Sequence, residues 1–151
     1  DRLLAAARRV AERYPDKCTL EIVENIPYAQ YIERMRGSHV VLDQLYSYTP
    51  ATNALLAMAM GLNTVSGGEE DYYHFIGEER LRPIINAEPD DEALYRVIEE
   101  TVLHPEEIKQ RGLEGREFVV KHNDIGVVAR RFVDFWTRRL EGIENPAQNE
   151  K

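Results

Sequence analysis

The sequence predicts an α/β fold, namely a Rossmann-like parallel sheet flanked by helices. Short apolar runs, typical of strands buried on both faces, alternate with longer stretches whose apolar residues recur at helical spacing. Pro and Gly stand at the ends of the helical stretches. A length of 151 residues fits one domain with its own core. We assign this single domain to residues 1–141 and expect residues 142–151 to form a disordered tail.

The first third of the chain begins with a helical pattern. Asp1 can cap this helix, and Pro15 ends it. The β-branched run at residues 18–23 predicts a strand. Pro27 fits the first turn of a second helix, which is followed by an apolar run that predicts a strand over residues 39–42.

The middle of the chain continues the alternation. Thr49 as a cap and Pro50 at the first helical position predict a helix over residues 51–60. The pattern after this helix predicts, in order, a strand at 63–66, one or two helical turns at 69–76 and a strand at 82–86.

Beyond residue 88 the pattern is helical throughout. Asp90 or Asp91 caps one helix, Pro105 begins the next, and Asp124 caps the last. The last helix carries an apolar stripe that ends at Leu140. His122, just before this helix, reads as a solvated helix end.

Composition excludes several classes of function. Nineteen Lys and Arg against 27 Asp and Glu give a net charge of −8, which disfavours a nucleic-acid partner. The single cysteine, Cys18, excludes an internal disulfide, and the four histidines lack metal-ligand spacing. We therefore expect no metal and no cofactor. A single cysteine fits a reducing compartment, so we also expect a cytoplasmic protein, including one held peripherally at a membrane surface. No apolar run is long enough to span a bilayer. The fingerprints of dinucleotide oxidoreductases, P-loop NTPases and serine hydrolases are absent.

The candidate site lies at the carboxyl ends of the predicted strands, where open parallel sheets bind ligands. The helix predicted to begin near Thr49 offers free N–H groups to an anion, and Gly67 and Gly68 allow close approach of a ligand to the backbone. Asp43 is read either as a ligand contact or as a turn residue, and the glycine pair either as a ligand cradle or as a plain turn. The candidate binding residues are Asp43, Gln44, Tyr48, Thr49, Thr52, Asn53, Gly67, Gly68 and Glu69.

Residues 38–44 and 53–65 resemble a known pattern. Ala57-Met58-Ala59-Met60-Gly61 matches the AMA-x-G helix end of the C-terminal, donor-binding domain of GT-B-fold retaining glycosyltransferases, and Asn63-Thr64-Val65 stands where that family has Pro-Val-Val. The resemblance covers residues 1–140. It implies a nucleotide-diphosphate sugar as donor, with the diphosphate at the start of the helix near Thr49 to Asn53.

The resemblance also implies what the chain lacks. The family's first strand and its N-terminal acceptor domain would precede Asp1, so we expect a domain fragment that is inactive alone. Tyr48 and Leu56 occupy the two positions of the family's E-x7-E motif, and Asp43, Gln44 or Glu69 are the candidate substitutes. Since a missing first strand leaves open sheet edges, we expect a homodimer, an exchanged element or a rearranged edge.

Two other classes of function stay open. One is a non-catalytic scaffold or partner-binding domain that has lost donor chemistry, which the missing Glu pair favours. The other is a flavodoxin-like or receiver-like binding domain, which the absence of a first strand with its acidic or phosphate-binding loop disfavours.

Overall fold

The structure, a computed structural model, describes residues 1–144. Most of the predicted tail, residues 145–151, lies outside the described residues, and the last helix includes residues 142–144. The elements follow in chain order: α1 (Arg2–Arg13), α2 (Tyr28–Arg36), β1 (Val40–Leu42), α3 (Thr52–Ala59), β2 (Asn63–Ser66), α4 (Glu70–Ile76), β3 (Ile85–Asn86), α5 (Asp91–Leu103), α6 (Pro105–Asn123) and α7 (Ile125–Glu144).

The three strands form a parallel sheet in the order β1-β2-β3. Val41 of β1 is paired with Thr64 of β2, and Val65 of β2 is paired with Ile85 of β3. The predicted α/β class with a parallel sheet flanked by helices is therefore confirmed. Among the described residues the sheet is open, with β1 and β3 at its edges.

Side-chain caps explain where two of the helices begin. The Asp1 carboxylate accepts hydrogen bonds from the N–H groups of Leu3 and Leu4, and Asp90 accepts one from Ala93. Both caps satisfy N–H groups that have no partner within the helix. At the end of α4, Gly77 adopts the left-handed conformation that favours glycine.

The core consists of two apolar clusters on opposite faces of the sheet. One joins α1 and α5 through side chains such as Ala7 and Leu94, and it includes Ile85 of β3. The other contains Ile84, which precedes Ile85 and so points to the opposite face. Its remaining members are Met58, Tyr73, Leu81 and Phe118.

The structure corrects three sequence predictions. Residues 18–23 form no strand, because no neighbouring strand pairs with their backbone. The last strand of the sheet is confined to Ile85–Asn86 rather than residues 82–86. The helix predicted from residue 51, with Thr49 as its cap, begins at Thr52 with Ala51 in the cap position.

The final helix differs from the others in its surroundings. Its apolar stripe is exposed, with Phe132 at 62% and Trp136 at 58% of their full accessibility. No helix within residues 1–144 is long and apolar enough to cross a membrane.

Candidate functional site

A network of polar side chains lies where β1 and β2 end. Asp43 follows β1 directly, and its Oδ2 atom accepts a hydrogen bond from Ser66 Oγ, 3.0 Å away, at the end of β2. The other carboxylate oxygen, Oδ1, accepts one from Asn53 Nδ2 of α3 at 3.2 Å. Parallel strands end at the same edge of a sheet, which brings Asp43 and Ser66 together, and Asn53 is added from the first turn of α3.

Tyr31 of α2 extends the network. Its hydroxyl donates to Asn53 Oδ1 at 2.5 Å, so both ends of the Asn53 amide are occupied. The amide is thereby fixed beside the start of α3. No side chain caps this helix, and its first N–H groups together with the positive end of its dipole favour an anion.

The loop between β1 and α3 is held by its own polar groups. Gln44 Nε2 donates to the Thr49 carbonyl at 3.1 Å, and Ser47 Oγ donates to the same carbonyl at 2.9 Å. The Glu69 N–H donates to the Tyr48 carbonyl at 3.3 Å. This bonding ties Thr49 into the loop, which explains why the helix starts three residues later.

The glycine pair is used for packing of the chain against itself. A Cβ atom on Gly67 would lie 1.7 Å from the Ser47 carbonyl oxygen, and one on Gly68 would lie 2.8 Å from Ile84 Cγ2. The Gly68 N–H donates to Asn86 Oδ1 at 2.8 Å. The space that glycine leaves open beside the backbone is therefore filled by the neighbouring loop and by the Ile84 side chain.

The structure brings some of the predicted site residues together and leaves others exposed. Asp43 and Asn53 meet directly, Gln44 and Thr49 are bonded within the loop after β1, and the bond from Glu69 to Tyr48 connects this loop with the loop after β2. Thr52 and Tyr48 contribute exposed side chains, Tyr48 being 76% accessible. Tyr31 and Ser66 belong to the network but were not among the candidate binding residues. Nothing in the local pattern of Tyr31 distinguishes a network member from an ordinary helical tyrosine.

A second polar cluster is buried away from the strand ends. Glu78, 1% exposed, accepts hydrogen bonds from Lys121 Nζ at 2.7 Å, from His122 Nε2 at 2.6 Å and from two backbone N–H groups. Burial by itself would raise the pKa of the Glu78 carboxyl. The hydrogen bonds, that from His122 foremost, outweigh burial and hold this pKa well below its usual range.

This cluster corrects one reading of the sequence. His122 is buried and bonded to Glu78 rather than solvated. The two residues lie 44 positions apart in the chain, and neither the spacing nor the local pattern indicates their contact.

Metal binding has no support among residues 1–144, where no three His, Cys, Asp or Glu side chains are grouped to hold an ion. The chain matches no model of a known protein family, no curated protein and no solved structure.

Proposed function

We propose that this chain is the donor-binding domain of a glycosyltransferase that uses a nucleotide-diphosphate sugar. The observation that carries the proposal is the polar network of Asp43, Asn53 and Ser66 beside the uncapped start of α3. It lies where open parallel sheets bind ligands. The sequence resemblance of residues 38–65 to the donor-binding domain of GT-B glycosyltransferases gives this site its substrate class.

In the proposed complex, the diphosphate lies against the first N–H groups of α3. These groups and the helix dipole stabilise negative charge on the diphosphate as the bond to the sugar breaks, which is electrostatic work by preorganised donors. Asp43 accepts from hydroxyl groups of the donor, and the exposed ring of Tyr48 stacks against its base or sugar. The acceptor is held by an N-terminal domain of the same polypeptide. The transfer reaction uses the donor and requires no metal or cofactor.

A second candidate function is a non-catalytic scaffold with the same fold. It is favoured by Tyr48 and Leu56 at the two positions where the family has Glu. It is also favoured by the bonding of Asp43, both of whose oxygens accept from this chain itself. In a scaffold the polar network would serve only to join α3 to the sheet.

An NMR titration of the chain with UDP, GDP, ADP and their sugar conjugates separates the two candidates. A donor site predicts saturable shifts at Asp43, Thr52 and Asn53 with one base preferred over the others. The variant Asn53→Leu removes the two hydrogen bonds that Asn53 makes in the network, with Tyr31 and with Asp43, and should weaken binding at least about tenfold, or 1.4 kcal/mol.

Gln110→Leu is the matched control for this titration. Gln110 is exposed on α6, two residues after Ile108. The Ile108 carbonyl accepts a hydrogen bond from Asn63 at the start of β2, which is the end of that strand away from the candidate site. This variant should bind as the original chain does. Equal weakening in both variants would reject the donor site and leave the scaffold. So would the absence of a saturable shift both with this chain and with the longer polypeptide that carries the N-terminal domain.

A further inference from the structure

Helix α2 is lightly attached to the rest of the domain. Met35 is the one buried residue of this helix, and residues 24–30, which lead into the helix and begin it, are exposed throughout. Burial of apolar side chains is the main force that holds a helix against its neighbours. Because α2 has little of it, its polar contacts supply a larger share of its attachment.

Two polar side-chain contacts join α2 to other parts of residues 1–144. One is the ion pair of Arg34 with Glu21, and both of these side chains are more than half exposed. Water screens such a pair, so it adds little. The other is the hydrogen bond that the Tyr31 hydroxyl donates to Asn53 Oδ1 at 2.5 Å, in a partly buried position. The bond from Tyr31 is therefore the main polar attachment of α2.

The Tyr31 bond reaches the candidate site through the Asn53 amide. Asn53 lies in the first turn of α3, and its Nδ2 donates to Asp43 Oδ1 while its Oδ1 accepts from Tyr31. The two ends of an amide group turn together. A movement of the Asp43 carboxylate that turns the NH₂ end of the amide therefore also turns the oxygen that Tyr31 binds.

A ligand in the proposed donor site would act on these bonds at two points. Its hydroxyl groups would use acceptor sites of the Asp43 carboxylate, and its diphosphate would lie at the start of α3, in the turn that carries Asn53. Both contacts restrict the Asn53 amide to the orientation that receives the Tyr31 hydroxyl. The ligand thus favours the attached position of α2, and by the reciprocity of linked equilibria the attached helix favours the ligand.

We propose that Tyr31 is a positioning residue that couples α2 to the candidate site. The Tyr31 hydroxyl holds Asn53 in place for the ligand, and the bound ligand in turn holds α2. The role of the ligand rests on the proposed donor-binding function. The coupling of Tyr31 to Asp43, in contrast, exists in the ligand-free chain and can be measured there.

Amide hydrogen exchange of the ligand-free chain measures the attachment of α2. Tyr31→Phe removes the hydroxyl and keeps the ring. We expect it to speed exchange over residues 31–36 about fivefold, the fold-change that corresponds to a net hydrogen bond of about 1 kcal/mol. Tyr28→Phe is the matched control, because Tyr28 is exposed one turn earlier on the same helix and its hydroxyl has no partner within residues 1–144. This variant should leave exchange in α2 unchanged.

A double-mutant cycle of Tyr31→Phe with Asp43→Ala tests the connection through Asn53. Asp43→Ala removes the acceptor of Asn53 Nδ2 and should speed exchange in α2 at least about twofold, the lower bound for one hydrogen bond. In the Tyr31→Phe background the same change should have no effect on α2, because the amide no longer holds the helix. Circular dichroism checks that each variant folds. If Asp43→Ala does not fold, the comparison of the two tyrosine variants still decides.

The nucleotide that binds best in the titration with UDP, GDP, ADP and their sugar conjugates supplies the ligand-dependent measurement. At saturation it should slow exchange over residues 31–36 in the original chain and in Tyr28→Phe, and not in Tyr31→Phe. A Tyr31 that only stabilised the fold would leave this nucleotide effect intact. By linkage, Tyr31→Phe should bind the nucleotide more weakly, by about the factor by which the nucleotide slows exchange in the original chain.

The outcomes separate the coupling from the donor site. Equal exchange of α2 in Tyr31→Phe and Tyr28→Phe would overturn the coupling, and so would a cycle in which the factors of Tyr31→Phe and Asp43→Ala simply multiply. A nucleotide that slows α2 equally in both tyrosine variants would also overturn it. If no nucleotide binds this chain or the longer polypeptide, the donor site fails, and the ligand-free exchange measurements still decide the coupling.

Discussion

Replacing Glu78 by Gln tests whether the buried polar cluster stabilises the fold. The Gln carbonyl oxygen can keep the hydrogen bonds from the N–H groups of Arg80 and Leu81. The amide NH₂ group, however, replaces the oxygen that accepts from Lys121 and His122. The variant therefore loses two charge-assisted contacts and places a donor opposite Lys121.

The magnitude follows from the burial of the two partners. The Lys121 side chain is 49% exposed, so solvent screens its pairing and the loss is about 0.5 kcal/mol. His122 is buried, and losing its bond costs about 1–3 kcal/mol. We expect Glu78→Gln to lower the free energy of unfolding by about 1.5–3.5 kcal/mol, with the lower end reached if the imidazole accepts from the new amide.

Urea unfolding at pH 7, followed by circular dichroism, measures this difference. Glu79→Gln is the matched control, because Glu79 is the exposed neighbour and forms no salt bridge within the described residues. The control should stay within about 0.5 kcal/mol of the original chain. A Glu78→Gln variant as stable as this control would refute the role given to the cluster.

Further predictions concern acid stability, the glycine turn and the core. The folded state lowers the pKa of Glu78, so its contribution is present above the unfolded carboxyl pKa of about 4.3 and is lost as the pH falls below it. Urea midpoints at pH 7, 5 and 3 should therefore decline more for the original chain than for Glu78→Gln. Gly67→Ala should cost at least about 2 kcal/mol, because the new Cβ meets the Ser47 carbonyl, whereas Gly37→Ala has its nearest contact at 3.4 Å and should cost less. Phe118→Ala leaves a cavity at a fully buried position and should lower the free energy of unfolding by about 3–5 kcal/mol in the same assay. Val120 is 59% exposed, and Val120→Ala should lower it by less than about 1 kcal/mol.

Local signals were sufficient for most of the helices and for the first two strands. Asp1 and Asp90 cap helices as their position before an apolar pattern predicts. Val40–Leu42 is a strand where a short apolar run indicated one, and Asn63–Ser66 is a strand at the predicted place before Gly67. In these elements the side-chain preference and the tertiary environment favour the same conformation.

The errors arose where the outcome depends on distant partners. Residues 18–23 have the composition of a strand, but a strand requires a hydrogen-bonded neighbour, and the sequence does not show which neighbours are present. Thr49 has the residue type of a helix cap, yet Gln44 and Ser47 bind its carbonyl and retain it in the loop. The sequence indicates that another group can come close to the backbone at Gly67, but only the structure identifies that group as the Ser47 carbonyl.

Asp43 is the residue on which the proposed donor site depends most. Its two hydrogen bonds within the chain do not use all of the acceptor sites of its carboxylate. A carboxylate has about four lone-pair sites, so the bonds from Asn53 and Ser66 leave about two for a ligand. These bonds fix the carboxylate plane between the strand ends and the start of α3, which reduces the ordering that a ligand would have to impose. The bonding that favours a scaffold is therefore equally what a preorganised site requires. Only saturable binding of a nucleotide at these residues distinguishes the two.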